Sequence, residues 1–291
     1  LVAAAGGHNL LLVGPPGSGK TMLSRRLPGI LPPMSDAERL ENTALYSVAG
    51  LLPRDGMMAH RPFRAPHHSI SDVGLVGGGS PTPRPGETSL AHNGVLMLDE
   101  LPEFRRHVIE ALRSPLENGK ATIARRLASV TYPSRFTLIG SMNACPCGYL
   151  KSTRQFCSCT PDQVERYQAR IACLRPRFDI IVQCPDISYR ELKGAEKGET
   201  SEVYQARVVE ARKRLEENGG QDTRLSGDCP SILATASLAG DRLASVLSVA
   251  STIAALDGET TIGASHLTEA LSYSRLPSLE ANVTASAGAT L

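Results

Sequence analysis

Short apolar runs alternate with stretches of helical periodicity over the first two thirds of the chain. Four of the runs end in glycine or polar residues, as buried strands do, and they lie at 8–13, 94–100, 136–140 and 179–182. Apolar residues recur at helical spacing at 20–27, 36–48 and 104–116, and two short segments within 120–134 have the pattern of a hairpin. Strands that alternate with helices predict an α/β domain with a parallel sheet flanked by helices.

Local signals mark the ends of two of these helices. Ser35 and Glu38 have the spacing of a capping box, which predicts a helix start. The residues expected to share one face of that helix are Ala37, Leu40, Ala44 and Val48. Gly119 predicts the end of the third helix, and Pro115 is expected to kink its last turn. Residues 53–94 are rich in glycine and proline and are expected to be irregular.

The pattern changes after Pro185 and predicts a division of the chain. Residues 1–187 form the predicted α/β core, and the polar residues 188–200 form a predicted linker. Residues 201–275 carry only helical periodicity, which predicts a small all-helical domain. The last stretch, 276–291, has weak periodicity and is expected to be a frayed tail.

A glycine-rich segment joins the first strand to the first helix and fits the pattern G-x-x-x-x-G-K-[ST]. Its residues are Gly14, Pro15, Pro16, Gly17, Ser18, Gly19, Lys20 and Thr21. Glycines let backbone N–H groups wrap closely around phosphates, and the following helix adds the positive end of its dipole. Lys20 is expected to reach the β- and γ-phosphates of ATP, and Thr21 to bind Mg²⁺. A chance glycine-rich turn is the alternative, and the flanking strand and helix disfavour it.

Polar side chains follow two of the later predicted strands. Asp99 and Glu100 close the second apolar run, where the first carboxylate can hold Mg²⁺ and the second can polarise the attacking water. Asn143 follows the third run and is expected beside the γ-phosphate, where it can orient that water. The alternatives are a solvated pair of charges for the carboxylates and an ordinary turn former for the asparagine.

Four of the seven cysteines lie within fifteen residues, namely Cys145, Cys147, Cys157 and Cys159. Four thiolates satisfy tetrahedral Zn²⁺ and leave no open coordination position, so the predicted site is structural. The C-x-C spacing is tighter than the usual C-x₂₋₄-C, and free thiols in a flexible loop remain the alternative. An odd number of cysteines argues against a disulfide framework.

Overall charge excludes a strongly basic nucleic-acid binder, because 31 Lys and Arg face 29 Asp and Glu for a net charge of +2. No apolar run has the length of a membrane span and no export signal is visible, so we expect a cytoplasmic protein. The chain starts at Leu1 rather than Met and its first strong motif begins only at Gly14, which suggests a piece of a longer protein. His67 and His68 are adjacent and would point apart on an extended chain, so local packing or a phosphate contact is favoured over metal binding.

Several segments together resemble one known family. They are GPPGSGKT, HRPFRAPHHS, VGGG with PRPGE, SLAHNGVLMLDELPEF and NACPCG, at 14–21, 60–69, 76–87, 89–104 and 143–148. The chain resembles the magnesium-chelatase-like AAA+ ATPases of the ComM/YifB type from about Ala3 to Tyr273. The resemblance implies an AAA+ P-loop NTPase core with a C-terminal helical lid domain, hexameric rings, ATP hydrolysis and branch migration of DNA. It also implies a Lon-protease-like domain that precedes this module in family members.

The resemblance further implies particular residue roles. The 120–134 hairpin and the 77–87 loop would face a central pore, where Arg84, Arg125 and Arg126 are the candidates for contacting DNA. Arg177 matches the arginine-finger segment that completes the neighbouring subunit's ATP site.

Three segments depart from the family pattern. The stretch before Arg177 is one residue shorter and lacks an acidic residue, and NACPCG stands where the family usually has NPCPCG. Asp241 occupies the expected place of a sensor arginine, with Arg242 one step further along the chain.

Three functions stay open from these observations. The favoured one is an ATP-driven DNA motor that acts as a homo-oligomeric ring, with ATP and Mg²⁺ as cofactors and Zn²⁺ as a further candidate. A second is the ATPase subunit of a magnesium chelatase that acts on a protein partner. The third is a nucleotide-binding module without hydrolysis, which the altered surroundings of Arg177 and Asp241 motivate.

Overall fold

A computed structural model describes residues 1–54, 56–79, 82–124, 129–187, 189–194, 198–217, 225–236, 238 and 240–274. The strands are β1 Leu10–Val13, β2 Phe63–Arg64, β3 Gly77–Gly78, β4 Arg84–Pro85, β5 Val95–Leu98, β6 Lys120–Ala124, β7 Ser129–Pro133, β8 Thr137–Met142 and β9 Ile180–Gln183. The helices of the first 194 residues are α1 Val2–Gly6, α2 Lys20–Arg26, α3 Asp36–Ala49, α4 Asp72–Val76, α5 Glu87–Leu90, α6 Arg106–Ala111, α7 Arg113–Asn118, α8 Pro161–Ala169 and α9 Tyr189–Gly194. The remaining helices are α10 Ser201–Glu217, α11 Cys229–Ala236, α12 Gly240–Asp257 and α13 Ala264–Ser272. Short 3₁₀ turns lie at Leu27–Ile30, Leu101–Glu103 and Arg175–Arg177.

The central sheet has five parallel strands in the order β2-β5-β8-β1-β9. A parallel sheet needs apolar cover on both faces, and the runs that form β5 and β8 are buried throughout. The main core joins Leu11, Leu98, Leu138 and Phe178 from the sheet and its flanks. This arrangement is an α/β P-loop NTPase fold, as the sequence predicts.

Strand order determines where functional groups meet. β1 lies between β8 and β9, so the chain crosses from β1 to the far edge and returns on the other side. In such sheets ligands bind beyond the carboxyl ends of the strands near this change of direction. The segments that follow β1, β5 and β8 therefore converge at one edge of the sheet.

Two small antiparallel ribbons extend from this core. β3 pairs with β4, and β6 pairs with β7, which confirms the hairpin predicted at 120–134. The ribbons contact each other, because the Tyr132 hydroxyl donates a hydrogen bond of 2.8 Å to the Pro83 carbonyl. Both lie in or beside segments that the family resemblance assigns to a pore.

The helical region packs directly on the α/β core. Val246, Val249 and Ile253 of α12 form an apolar cluster with Ala3 and Ile180. Polar contacts reinforce it: Arg242 donates to the carbonyls of Phe178 at 2.7 Å and Ser274 at 2.8 Å. C-terminal helices follow the core as the sequence predicts, and the exact domain limits stay a prediction.

Several local expectations are corrected. The face of α3 that carries Leu40 and Val48 is exposed, and the helix buries Leu45 and Tyr46 instead. The Tyr46 hydroxyl donates to the carbonyl of Leu90 at 2.9 Å, which fixes that orientation.

Other corrections concern element boundaries. Residues 53–94 contain β2, α4, the β3–β4 ribbon and α5 rather than irregular chain alone. The predicted helix at 104–116 is divided into α6 and α7 at Leu112. Helices α1, α8 and α11 were not predicted, and α9 lies within the range 188–200 that the sequence suggests as a linker.

Candidate functional site: a phosphate-binding loop beside a four-cysteine cluster

The glycine-rich loop follows β1 and leads into α2. Gly17 and Gly19 have φ values of 77° and 81°, in the left-handed region that favours glycine. The Lys20 ammonium donates to the carbonyls of Gly14 at 2.9 Å and Pro15 at 2.8 Å, so the lysine folds back over the loop. These carbonyls hold the ammonium at the position from which a lysine can reach a bound phosphate chain.

The electrostatic environment of Lys20 favours the binding of an anion. Burial lowers the pKa of Lys20, while the nearby Cys184, Asp99 and Glu100 oppose that shift. A partly desolvated ammonium gains more from an incoming phosphate than an exposed one, because less hydration must be removed.

Thr21 and Asp99 form the oxygen pair expected at a Mg²⁺ site. The Thr21 hydroxyl donates to Asp99 Oδ2 at 2.9 Å, and the Ser141 hydroxyl donates to Asp99 Oδ1. Hydroxyl and carboxylate oxygens are the ligands that Mg²⁺ prefers, so these residues fit that ion. Ser141 is buried and belongs to β8, which lies beside β5.

Glu100 stands in an unusual backbone conformation. Its φ is 53°, in the left-handed region that costs a residue with a side chain about 1–2 kcal/mol. The N–H of Glu100 donates to Ser141 Oγ at 3.3 Å, and its side chain is 64% exposed. His68 Nδ1 lies 3.8 Å from Glu100 Oε2. The carboxylate thus projects from the strand end into solvent, where a water molecule can approach it.

Asn143 follows β8 and meets the loop directly. Its Oδ1 lies 3.4 Å from Lys20 Nζ. The chain brings Lys20, Thr21, Asp99 and Asn143 together through these contacts, and Glu100 follows directly after Asp99.

The other predicted site residues lie elsewhere. Arg177 pairs with Glu117 of α7, and its carbonyl accepts a hydrogen bond of 2.9 Å from Asn9 Nδ2. Arg84 is exposed on β4, whereas Arg125 and Arg126 lie outside the described residues. Arg242 binds backbone carbonyls at the junction with the core, as described above.

The four clustered cysteines converge, with all four sulfur atoms within 4.8 Å of one another. Their Sγ atoms lie 3.4 Å apart for Cys145 and Cys147, 3.7 Å for Cys145 and Cys157, and 3.6 Å for Cys147 and Cys157. Zn–S bonds of ~2.3 Å in a tetrahedron place the sulfurs about 3.8 Å apart, so this set fits the ion.

Backbone groups also support a thiolate cluster. The N–H of Leu150 donates to Cys145 Sγ at 3.3 Å, and the N–H of Cys147 donates to Cys159 Sγ at 3.4 Å. Burial raises the pKa of the Cys145 thiol to about 12, helped by the neighbouring Cys147. Burial also opposes ionisation of Cys147, but backbone hydrogen bonds and the neighbouring thiols bring its pKa to about 6. The cluster can hold a metal ion.

Two contributors escaped the sequence analysis. Ser141 lies one residue beyond the predicted strand 136–140 and has no motif, so only the pairing of β5 with β8 reveals its role. His68 packs locally as the sequence favours, with its ring edge-on to that of Phe104 at a centroid distance of 6.3 Å, and it also reaches Glu100. The expectation that His67 and His68 point apart is wrong, because their ring centroids lie 4.0 Å apart. The contact with Glu100 depends on the pairing of β2 with β5, and the sequence analysis predicts no strand at β2.

Comparison with known proteins decides the family. The model for "Magnesium chelatase, subunit ChlI" matches residues 1–192. The chain belongs to the magnesium chelatase ChlI family. Protein YifB of Salmonella typhimurium is 43% identical over 94% of this chain and 57% of its own length.

Two further relatives of this chain have names that describe a function. Competence protein ComM of Haemophilus influenzae is 41% identical over 94% of this chain and 56% of its own length. The magnesium-chelatase 38 kDa subunit of Rhodobacter capsulatus is 25% identical over 89% of this chain and 77% of its own length. The chain spans just over half the length of YifB and ComM. Among the described residues, none of the helices is long and apolar enough to cross a membrane.

Proposed function

We propose that this chain is the ATP-hydrolysing module of a ring-forming AAA+ motor that acts on DNA. The observation that carries ATP hydrolysis is the meeting of Lys20, the Thr21–Asp99 pair and Asn143, with Glu100 next to Asp99 at the strand end. Family membership supports the same chemistry.

Each residue has a separate task in this proposal. The loop and Lys20 bind the phosphates, and Thr21 and Asp99 hold Mg²⁺, which neutralises charge on the β- and γ-phosphates when bound. Glu100 accepts a proton from the attacking water, and Asn143 orients that water. Arg177 acts on the ATP of a neighbouring subunit, after its pair with Glu117 opens.

DNA binding rests on different observations. ComM, the relative from Haemophilus influenzae, is named as a competence protein. Arg84 is exposed on a ribbon that packs against the 120–134 hairpin, which carries Arg125 and Arg126. Six copies of a few arginines would contact several phosphates at once, so a chain of net charge +2 can bind DNA as a ring.

The cysteine cluster is proposed to hold Zn²⁺. Sulfur–sulfur distances of 3.4 to 3.7 Å and N–H donors to two sulfurs support that ion over free thiols. Since four protein ligands would fill the coordination shell, the ion would be structural.

A second candidate function is the ATPase subunit of a metal chelatase that acts on a protein partner. The family description and the similarity to the Rhodobacter capsulatus subunit favour it. The DNA motor ranks first because the identity to ComM is higher than that to the chelatase subunit.

ATPase rates of the full-length protein, with and without branched DNA, test this proposal. We expect Lys20→Ala to lose nucleotide binding, and Glu100→Gln to keep binding and lose turnover. Arg84→Ala should reduce stimulation by DNA while the rate without DNA is kept. Lys213→Ala, which removes an exposed charge from α10, is the matched control and should change neither rate.

Distinct results would contradict each part. Hydrolysis by Lys20→Ala and Glu100→Gln at the parental rate refutes the assigned ATP site. Stimulation by a chelatase partner but by no DNA favours the second candidate. Nucleotide binding without turnover in the assembled ring supports a module that has lost hydrolysis.

A further inference from the structure

The cysteine cluster begins two residues after Asn143, a residue of the candidate ATP site. Asn143 follows the last residue of β8 and contacts Lys20, and Cys145 is the first cluster ligand. The carbonyl of Ala144, between them, accepts a hydrogen bond of 3.0 Å from Gln168 of α8. With Cys145 and Ala144 both anchored, little freedom remains for the backbone that carries Asn143.

The turn inside the cluster lies against the phosphate-binding loop. Gly148 has a φ of 86°, and a Cβ atom built on it would lie 2.8 Å from Pro16 Cδ and 3.7 Å from Asn143 Cγ. Distances below 3.0 Å leave no room for a side chain, so the backbone at Gly148 touches the loop residue Pro16. The position of the turn between Cys147 and Leu150 therefore limits the position of the loop.

The segment between the two cysteine pairs is also tied to the far side of the loop. Ser152 Oγ donates to Asp186 Oδ2 at 2.7 Å, and the N–H of Thr153 donates to the same oxygen at 2.8 Å. Asp186 follows Cys184 closely, and the carbonyl of Cys184 lies 2.3 Å from a Cβ built on Gly14. The cysteine segment thus borders the loop at Pro16 and, through Asp186, near Gly14.

Contacts among the four thiols themselves supply little that would hold the cysteine pairs together. Thiols are weak hydrogen-bond donors, and ionised thiols at these distances repel one another. Ordering the turn between Cys147 and Cys157 costs conformational entropy, which a metal ion can offset because its binding free energy becomes folding free energy.

We propose that Zn²⁺ in the Cys145–Cys147–Cys157–Cys159 cluster is a positioning element for the ATP site, holding Gly148 on Pro16 and Asn143 beside Lys20. The inference rests on the proposed function and extends it, because it makes nucleotide affinity depend on the cluster. Energetic coupling between two sites is reciprocal, so bound nucleotide must also strengthen retention of the ion.

The reciprocal effect is measurable without any mutation in the cluster. The full-length protein is purified, its zinc content is determined by mass spectrometry, and zinc loss to a chromogenic zinc-selective chelator is followed in excess Mg²⁺. We expect a non-hydrolysable ATP analogue to slow zinc loss, and we expect the Zn²⁺ affinity, obtained from equilibrium competition with the chelator, to rise by about 5- to 150-fold if the coupling has its typical size. In Lys20→Ala, which cannot bind the analogue, zinc loss should be equally fast with and without it.

Cluster variants supply the second measurement. Cys157→Ser should weaken binding of a fluorescent ATP analogue by a similar factor. Cys173→Ser makes the same change at an exposed cysteine outside the cluster and should leave affinity unchanged. If Cys157→Ser fails to fold, equilibrium competition with the chelator on the unmutated protein still decides the question.

Failure of the inference and failure of the proposed function give different results. A protein that holds zinc and hydrolyses ATP, but whose zinc affinity is the same with and without nucleotide, overturns the coupling alone. A protein that contains no zinc as purified and takes none up overturns the inference at its first step and leaves the ATP site untouched. A zinc-loaded protein that binds no nucleotide refutes the proposed ATPase function, and the coupling with it.

Discussion

Ser141 is expected to support both carboxylates of the proposed ATP site, and Ser141→Ala tests this. The side chain is 1% exposed, its hydroxyl donates to Asp99, and it accepts the Glu100 N–H at 3.3 Å. A hydrogen bond to a charged group contributes about 1.5–3 kcal/mol, so we expect the free energy of unfolding to fall by that amount. The Glu100 N–H contributes less, because its bond is long.

Turnover should change together with stability. The bond from Ser141 helps to hold Glu100 at its left-handed φ of 53°. Without it the carboxylate loses its fixed direction, and we expect kcat to fall about tenfold, which corresponds to ~1.4 kcal/mol of barrier. The KM for ATP should stay near the parental value, because Lys20 is not in contact with Ser141.

Denaturant unfolding without nucleotide, combined with steady-state ATPase rates, measures both effects. Ser134→Ala is the matched control, since Ser134 is equally buried but pairs with the neutral hydroxyl of Ser89 at 3.0 Å. It should cost about 0.5–1.5 kcal/mol and leave kcat unchanged. A double-mutant cycle with Asp99→Asn isolates the direct interaction. If the effects of Ser141→Ala and Asp99→Asn add within about 0.5 kcal/mol, the reasoning is refuted.

Three further substitutions address separate contacts. His68→Ala should lower kcat several-fold at an unchanged KM for ATP, because the carboxylate loses the imidazole 3.8 Å away; an unchanged kcat contradicts this in ATPase assays. Gly148→Ala should weaken ATP binding and lower the free energy of unfolding by about 1–3 kcal/mol, because the added Cβ would collide with Pro16. An ATP affinity equal to that of the parent, measured by titration, refutes the contact. Arg242→Ala should lower the free energy of unfolding, measured with denaturant, by about 1.5–3 kcal/mol. Asp241→Ala, at the exposed neighbouring residue, should lower it by less than about 0.5 kcal/mol, and equal effects of the two variants contradict the assigned role.

Local chemistry made much of the candidate site predictable from sequence. The phosphate-binding loop requires glycine where φ is positive, and two carboxylates directly follow the four buried residues of β5. These signals depend only on residues that are close in the sequence, so they can be recognised before the fold is known. The presence of four cysteines within fifteen residues also suggests that their sulfurs meet, although the C-x-C spacing leaves free thiols as an alternative.

Contacts across strands could not be predicted in the same way. Ser141 reaches Asp99 because the register of β5 and β8 pairs Leu98 with Gly140, and the sequence contains no record of that register. The face of α3 was assigned wrongly because apolar residues lie on both sides of the helix, and only the contact of Tyr46 with Leu90 selects one. Glu117, the partner of Arg177, is distant in sequence and carries no motif.

Residues 177–179 form hydrogen bonds both with the segment before β1 and with the helical region. Asn9, immediately before β1, donates to the carbonyl of Arg177, and its N–H donates to Asp179 Oδ2 at 3.0 Å. From the helical region, Ser245 donates to Asp179 Oδ1 at 2.7 Å and Arg242 binds the Phe178 carbonyl. The segment that carries the predicted arginine finger is therefore held by the strand that leads to the phosphate-binding loop and by α12 together. Arg242 lies one residue beyond the place where the family has a sensor arginine, and it contacts this segment. A shift of α12 would therefore act on the backbone of Arg177.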